Sequence, residues 1–235
     1  MTAPQTRTPA FDNSANGRAI YPLLRRTQLS KFLGEPEIKE LESFGRTANR
    51  PGGHTLYRQG DEPSTFFIVV RGEVELRARP PGRRVYRTIE VVGPGCTVGD
   101  EAVLAEERYL SSARVQEPSR LLALTRPEFE RLQDAQPGIA MAVLRCAGGC
   151  LIQTVRRAAI LTQAPADVAL GILLRELSAE ASDNGRQGSV RITHAQLAGL
   201  LHLSRETVSR MLGQMAASGL VELSRGSIKV RPTEP

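Results

Sequence analysis

Between Leu203 and Leu212 the chain reads LSRETVSRML, which sets six polar or charged side chains among four apolar ones. Val208, Met211 and Leu212 fall three and four residues apart, so they share one face of a helix. The other residues then face outward, and their types suit duplex DNA. Ser204 is an N-cap whose helix start turns backbone amides toward phosphate. Arg205 and Arg210 offer bidentate forks to guanine O6 and N7, while Glu206 accepts from cytosine N4. Thr207 and Ser209 suit phosphate or sugar contacts. On an isolated surface helix the same residues would form Arg–Glu pairs worth little to stability. The neighbouring segments decide between the two readings.

Upstream, VRIT reads as a short strand ending at Thr193, an N-cap, and HAQLAGLL follows as a helix whose His194 is placed to touch phosphate. A short turn at His202–Leu203 separates the two helices. Downstream, GLVELSRGSIKVRP reads as two strands around Arg225–Gly226, with Arg225 and Lys229 as further backbone contacts. Two helices followed by a hairpin make a winged helix-turn-helix, in which the second helix enters the major groove by its N-terminal end. Thr193, His194, Ser204, Thr207, Ser209, Arg225 and Lys229 are therefore expected at the DNA backbone, and Arg205, Glu206 and Arg210 at base edges.

The rest of the chain must position that reader. Residues 137–164 form a long apolar-rich segment in which Ala140, Leu144, Ala147, Leu151, Thr154, Ala158 and Leu161 recur at spacings of 4, 3, 4, 3, 4 and 3. That is a coiled-coil seam of three heptads. Gly148 and Gly149 lie inside it, each costing a helix about 0.8–1.0 kcal/mol relative to Ala. Close approach of a second backbone would offset that cost, so the pattern predicts a homodimer over a helix packed only on its own domain. Residues 22–47 read as helix. From Arg50 to about Leu124, Gly and Pro recur between TFFIVV, VELRAR, VYRTIEVV and RLLALT, the texture of a small barrel or jelly roll. PEFERLQDAQP closes this part as a short helix. The expected organisation is α+β: a tail at 1–21, a β-barrel sensory domain at 22–136, a dimerisation helix at 137–164 and the winged helix-turn-helix at 165–235.

Composition sets the outer limits. The 235 residues carry a net charge of +6 and three cysteines. The charge favours a polyanionic partner. Cys96, Cys146 and Cys150 are too few for a disulfide framework or a four-thiolate cluster. Cys146 and Cys150 share a helical face but suit small buried hydrophobes better than metal ligands. His54 sits in a turn-like PGGH segment, a poor setting for a haem ligand. No metal or cofactor is expected. Neither an unbroken run of about eighteen apolar residues nor an N-terminal h-region is present, which points to the cytoplasm and away from a membrane. Paired catalytic carboxylates, G-x-S-x-G, P-loop and HExxH motifs are absent, and an enzyme is not expected.

The run ITHAQLAGLLHLSRETVSRMLGQMAASGLVELSRGSIKV resembles the DNA-binding domain of the cAMP receptor protein/fumarate-nitrate regulator (Crp/Fnr) family. LYRQGDEPSTFFIVVRGEVELRAR is similar to the family's cyclic-nucleotide-binding-type barrel, and 137–164 to its dimerisation helix. The resemblance spans about residues 22–231. It implies a transcriptional regulator that binds double-stranded DNA as a homodimer on a TGTGA/TCACA-like palindrome, with RNA polymerase as a further partner. It also implies where an effector would sit. Members that bind cAMP carry a G-E-L segment, whose Glu takes the ribose hydroxyl, and an R-S-A or R-T-A segment, whose Arg takes the cyclic phosphate. Here the stretch is VGDEAVLAEERYLSSARV, one residue longer. Gly99 is kept, Asp100 replaces the Glu, and Ser111 replaces the Arg ahead of Ser112 and Ala113. Thr154 matches a seam residue that reaches the base in those relatives, and equally suits a small polar seam position. A phosphate without its guanidinium loses a charge-assisted bidentate contact; Arg108 or Arg114 would have to supply it. The expectation is a regulator that does not use cAMP, acting without an effector or with another ligand. The alternatives are a cyclic-nucleotide-responsive regulator with an atypical pocket, an architectural DNA binder without sequence preference, and a ligand-binding module with a vestigial DNA domain.

Overall fold

The computed structural model describes residues 21–231, apart from Arg26, Pro81, Arg83, Arg84, 184–188 and Arg225. All of the expected tail except Tyr21, and the wing residue Arg225, therefore lie outside the described residues. The chain divides into two compact units, one of residues up to Ala78 with Val91–Cys150, the other of Arg79–Glu90 with residues from Leu151 onward.

The first unit opens with α1 (Tyr21–Leu24), a 3-10 turn (Gln28–Lys31) and α2 (Glu35–Phe44). The helix expected over 22–47 is thus interrupted, and it stops early. Gly45 ends α2 in extended backbone, and a Cβ there would lie 2.7 Å from Leu122 Cδ1, so the chain must turn into a strand against that leucine. The strands are β1 (Arg46–Arg50), β2 (Thr55–Tyr57), β3 (Thr65–Arg71), β4 (Val74–Ala78), β5 (Arg87–Val92, of which Arg87–Glu90 are counted with the second unit) and β6 (Thr97–Val98). The short α3 (Asp100–Ala105) precedes β7 (Ser112–Val115) and β8 (Ser119–Thr125). They form two four-stranded sheets, β1-β8-β3-β6 and β2-β7-β4-β5. The architecture is α+β with a jelly-roll pair of sheets rather than a closed barrel. All of β3 except Arg71 is buried, which is why TFFIVV runs apolar without alternating. Its Phe66 meets Phe129 edge to face at 5.5 Å, which docks α4 (Arg126–Ala135) on the sheet. A Thr125–Glu128 capping box starts α4.

The long helix α5 (Pro137–Gln163) follows. Its residues from Leu151 belong to the second unit, with α6 (Ala166–Asp183), β9 (Ser189–Val190), α7 (His194–Leu200), α8 (Arg205–Ala217), β10 (Val221–Ser224) and β11 (Ser227–Val230). Leu170, Leu174, Leu197, Val208 and Leu212 are its most deeply buried side chains. A three-stranded sheet in the order β10-β11-β9 completes it.

Candidate nucleic-acid interface

The two helices α7 and α8 are built as expected. Thr193 caps α7, accepting from the Gln196 amide, and its own amide donates to Gln196 Oε1 at 2.8 Å. The turn between them rests on His202 at φ +54°, an uncommon conformation for a non-glycine residue. There the Leu203 amide donates back to the Ala198 carbonyl at 2.9 Å. Ser204 then caps α8, accepting from the Thr207 amide at 3.1 Å. Val208, Met211 and Leu212 point into the core. Arg205, Glu206 and Arg210 are all exposed on the outer face. The amide at the helix start, then the Ser204 hydroxyl, hold the Glu206 carboxyl below the usual range. It is therefore a ready acceptor at neutral pH.

The expected backbone contacts divide. Ser204 is exposed and Thr207 half-buried, both at the start of α8. Lys229 is exposed on β11, opposite Glu222 on β10; Glu222 is already bonded to Arg231. His194 and Ser209 meet one another, Nδ1 to Oγ at 2.8 Å.

In the first unit, Gly99 adopts φ +81° as the cap of α3. A Cβ there would lie 2.9 Å from Tyr57 Cε1 and 3.0 Å from Tyr109 Cε1. The two rings stack with centroids 3.9 Å apart, 11° from parallel. Tyr109 Oη is anchored by the Ser64 and Thr65 amides and donates to the Thr65 carbonyl. Tyr57 Oη is buried beside Ser111 without a well-formed hydrogen bond, and burial, then the nearby Glu101, push the phenol well up. Ser111 and Ser112 are buried, and Ser112 Oγ accepts from the Gln59 amide at 2.9 Å. Burial raises the Asp100 carboxyl; burial and Asp100 raise that of Glu101. Both arginines considered as substitutes are engaged by other partners. Arg108 bonds Glu62 and the Gly60 carbonyl, and Arg114 Nε donates to the Gly53 carbonyl. Around Gly99 these positions carry the carboxylates of Asp100 and Glu101, and a tyrosine pair packs against the glycine. Sequence reasoning passed over Tyr57 and Tyr109, although LYRQG and ERYLSS flank the stretch in question. Thr154 belongs to the second unit, where its hydroxyl donates to Glu90 Oε2 at 2.9 Å.

Along α5 the exposed large apolar residues are Met141, Leu144, Leu151, Ile152 and Val155, with space open at Gly148. Leu144 and Leu151 lie in the expected seam. Ala140 does not, being buried with Ile139, Ala142, Val143 and Cys146 in the first unit's core. The uncovered stripe thus runs 141, 144, 148, 151, 155, turned by about one residue from the expected line. An eighteen-residue window of α5 has a mean hydropathy of 1.5, sufficient by length and composition to cross a membrane. Its inner face is packed in a protein core, however, and Arg157 is ion-paired to Glu90. Cys146 is buried, which raises its thiol to about 11, so it is no ready thiolate. His54 is held below the usual imidazole range by burial, then Arg50. Among the described residues no group of three or more His, Cys, Asp or Glu could hold a metal.

The comparisons fit both halves of this arrangement. The cyclic nucleotide-binding domain family matches residues 49–136, and the Crp-like helix-turn-helix domain family matches residues 170–234. The chain is 31% identical over 209 residues to the cyclic AMP receptor protein of Thermus thermophilus, covering 88% of this chain and 94% of that one. It is 27% identical over 220 residues to a CRP-like cAMP-activated global transcriptional regulator of Mycobacterium tuberculosis, covering 90% and 96%. Among solved structures, the c-di-GMP responsive regulator CLP of Xanthomonas campestris superposes with a TM-score of 0.71 at 21% identity, over 85% of this chain and all of that one. FixK2 of Bradyrhizobium japonicum gives 0.68 at 17% identity, over 80% and 93%. At those identities the likeness is one of fold.

Proposed function

The chain belongs to the Crp/Fnr family of transcriptional regulators, and from that premise we propose that it acts as a homodimer on a TGTGA/TCACA palindrome without cAMP as effector. The observation that carries this is the outer face of α8, where Arg205, Glu206 and Arg210 stand exposed beyond a capped helix start. Arginine forks and an ionised carboxylate suit guanine and cytosine edges in the major groove. The uncovered stripe of α5 supports the dimer, since its 3-4 spacing suits a second copy of the same helix. Pairing would set two readers about 34 Å apart, one turn of DNA.

The acidic wall around Gly99 and the missing guanidinium support the second half of the proposal. An anionic phosphate placed there would meet Asp100 and Glu101 and lack a bidentate partner. Relatives respond to cAMP or c-di-GMP by name, so both belong in the test. The protein works in the cytoplasm, and RNA polymerase is its further partner. Binding to labelled duplexes at fixed salt should favour the palindrome over scrambled DNA, with the same affinity with and without cAMP. Equal binding to both duplexes would leave an architectural role. A large gain with cAMP would restore the cyclic-nucleotide reading, and a gain confined to c-di-GMP would identify another ligand.

A further inference from the structure

We infer that Ser209 sets the tautomer of His194, so that the ring presents Nε2–H as a neutral donor to the DNA backbone. This rests on the DNA-reading role proposed above for α8. His194 Nδ1 and Ser209 Oγ lie 2.8 Å apart, joining the first residue of α7 to the flank of α8. Both side chains are half-buried. Ser209 comes four residues after Arg205 and directly before Arg210, which places it at the margin of the exposed face.

The assignment of the proton follows from the two groups. Among the described hydrogen bonds, this ring nitrogen is the one partner of the Ser209 hydroxyl, with either atom able to donate. Thr162 on α5, by contrast, turns its hydroxyl back on the Ala158 carbonyl. A hydroxyl both donates and accepts, whereas a neutral imidazole has one nitrogen of each kind. The basic imidazole nitrogen is the better acceptor of the pair, so the serine proton goes to Nδ1. The ring's own proton then sits on Nε2. In a helix-turn-helix the first helix crosses the sugar-phosphate backbone while the second fills the groove. His194 opens that first helix. Its remaining donor is uncharged, so it adds affinity without displacing a counterion from the DNA.

The experiment pairs a spectroscopic readout with binding. Nitrogen NMR of the full-length protein labelled at histidine, well above the imidazole range, should show His194 as the Nε2–H tautomer. Ser209→Ala should remove that bias. His194→Ala and Ser209→Ala should each weaken binding about two- to tenfold, the scale of one hydrogen bond. The loss should be equal on palindromic and scrambled duplexes, with an unchanged slope of log affinity against log salt. His194→Gln, whose amide nitrogen stands near the Nε2 position, should keep most of the affinity and show that the fold is intact. An Nδ1–H tautomer, an unaltered tautomer in Ser209→Ala, or a salt slope reduced by about one in His194→Ala would overturn the inference. If the wild type shows the Nε2–H tautomer but binds no duplex, the DNA-reading role of α8 falls and takes the phosphate contact with it. Wild-type binding with the wrong tautomer sinks only the inference.

Discussion

Arg157 Nη1 lies 3.2 Å from Glu90 Oε1, with 11% and 15% of the two side chains exposed. Thr154 donates to the other Glu90 oxygen, and Glu176 Oε2 stands 3.7 Å from Arg157 Nε. One guanidinium therefore serves two carboxylates from β5 and α6, and all four residues belong to the second unit. The longer contact is an ion pair without a hydrogen bond. Beside it Ile160, Leu161, Leu173 and Leu200 line a cavity of about 30 Å³.

Removing Arg157 would leave two carboxylates in a poorly solvated site. Breaking a buried pair by deleting one partner costs about 3–5 kcal/mol. Arg157→Met should lower unfolding free energy by that order at neutral pH, read by denaturant titration. A loss below 1 kcal/mol, the range of an exposed pair, would show that water screens the site.

Glu90 gives this cluster a pH signature. Burial raises its carboxyl, with the Thr154 hydrogen bond and Arg157 opposing. The folded chain therefore holds that proton more readily than the unfolded one. Stability from this group is present in acid and is lost as pH rises from the ordinary carboxylate range through the raised value. Glu90→Gln should gain on the wild type across that interval and run parallel to it above. A gap that widens toward acid would reverse the sign and refute the assignment.

What the residues disclosed beforehand followed their periodicity. The helix-turn-helix was legible because caps, apolar spacing and hairpin all occur within forty residues, and each is a local signal. The exposed apolar stripe of α5 was legible in type but not in rotation. Ala140 and Met141 are both apolar, and which one faces inward depends on the core formed by Phe66, Leu121 and their neighbours. The Glu90–Arg157–Glu176 cluster gave no local signal, because its members lie 67 and 19 residues apart. Tyr57 and Tyr109 likewise meet only once β2 and the segment before β7 are brought together. Long-range polar and aromatic contacts leave no period to read.

Gly99 should tolerate no side chain. Its φ of +81° disfavours L-residues, and a Cβ would press on both tyrosine rings. Gly99→Ala should destabilise the protein by about 1–3 kcal/mol and weaken the near-ultraviolet dichroism of the tyrosine pair. A change of only a few tenths of a kcal/mol would mean that the loop moves freely off the stack.

Gly148 should give opposite signs in two assays. A Cβ there meets nothing within 4 Å in the single chain, so Gly148→Ala should favour the helix by up to about 1 kcal/mol. If the stripe of α5 meets a second copy closely at this point, the same methyl should weaken the dimer, as sedimentation at graded concentration would reveal. Leu151→Glu, on the exposed stripe, should dissociate the dimer outright. A chain that sediments unchanged in both variants would remove α5 from the interface.

Arg205 and Arg210 test the base assignment most directly. A bidentate contact to guanine should cost about 1–3 kcal/mol when truncated, and only at the matching base pair. Arg210→Ala and Arg205→Ala should each flatten the preference at one position of TGTGA and leave the other positions intact, measured across single-substitution duplexes at constant salt. Thr207→Ala provides the contrast, because a backbone contact carries no sequence information. It should weaken every duplex alike. If Arg210→Ala behaved like Thr207→Ala, its guanidinium would be held to phosphate, and the exposed face of α8 would position the protein without reading the sequence.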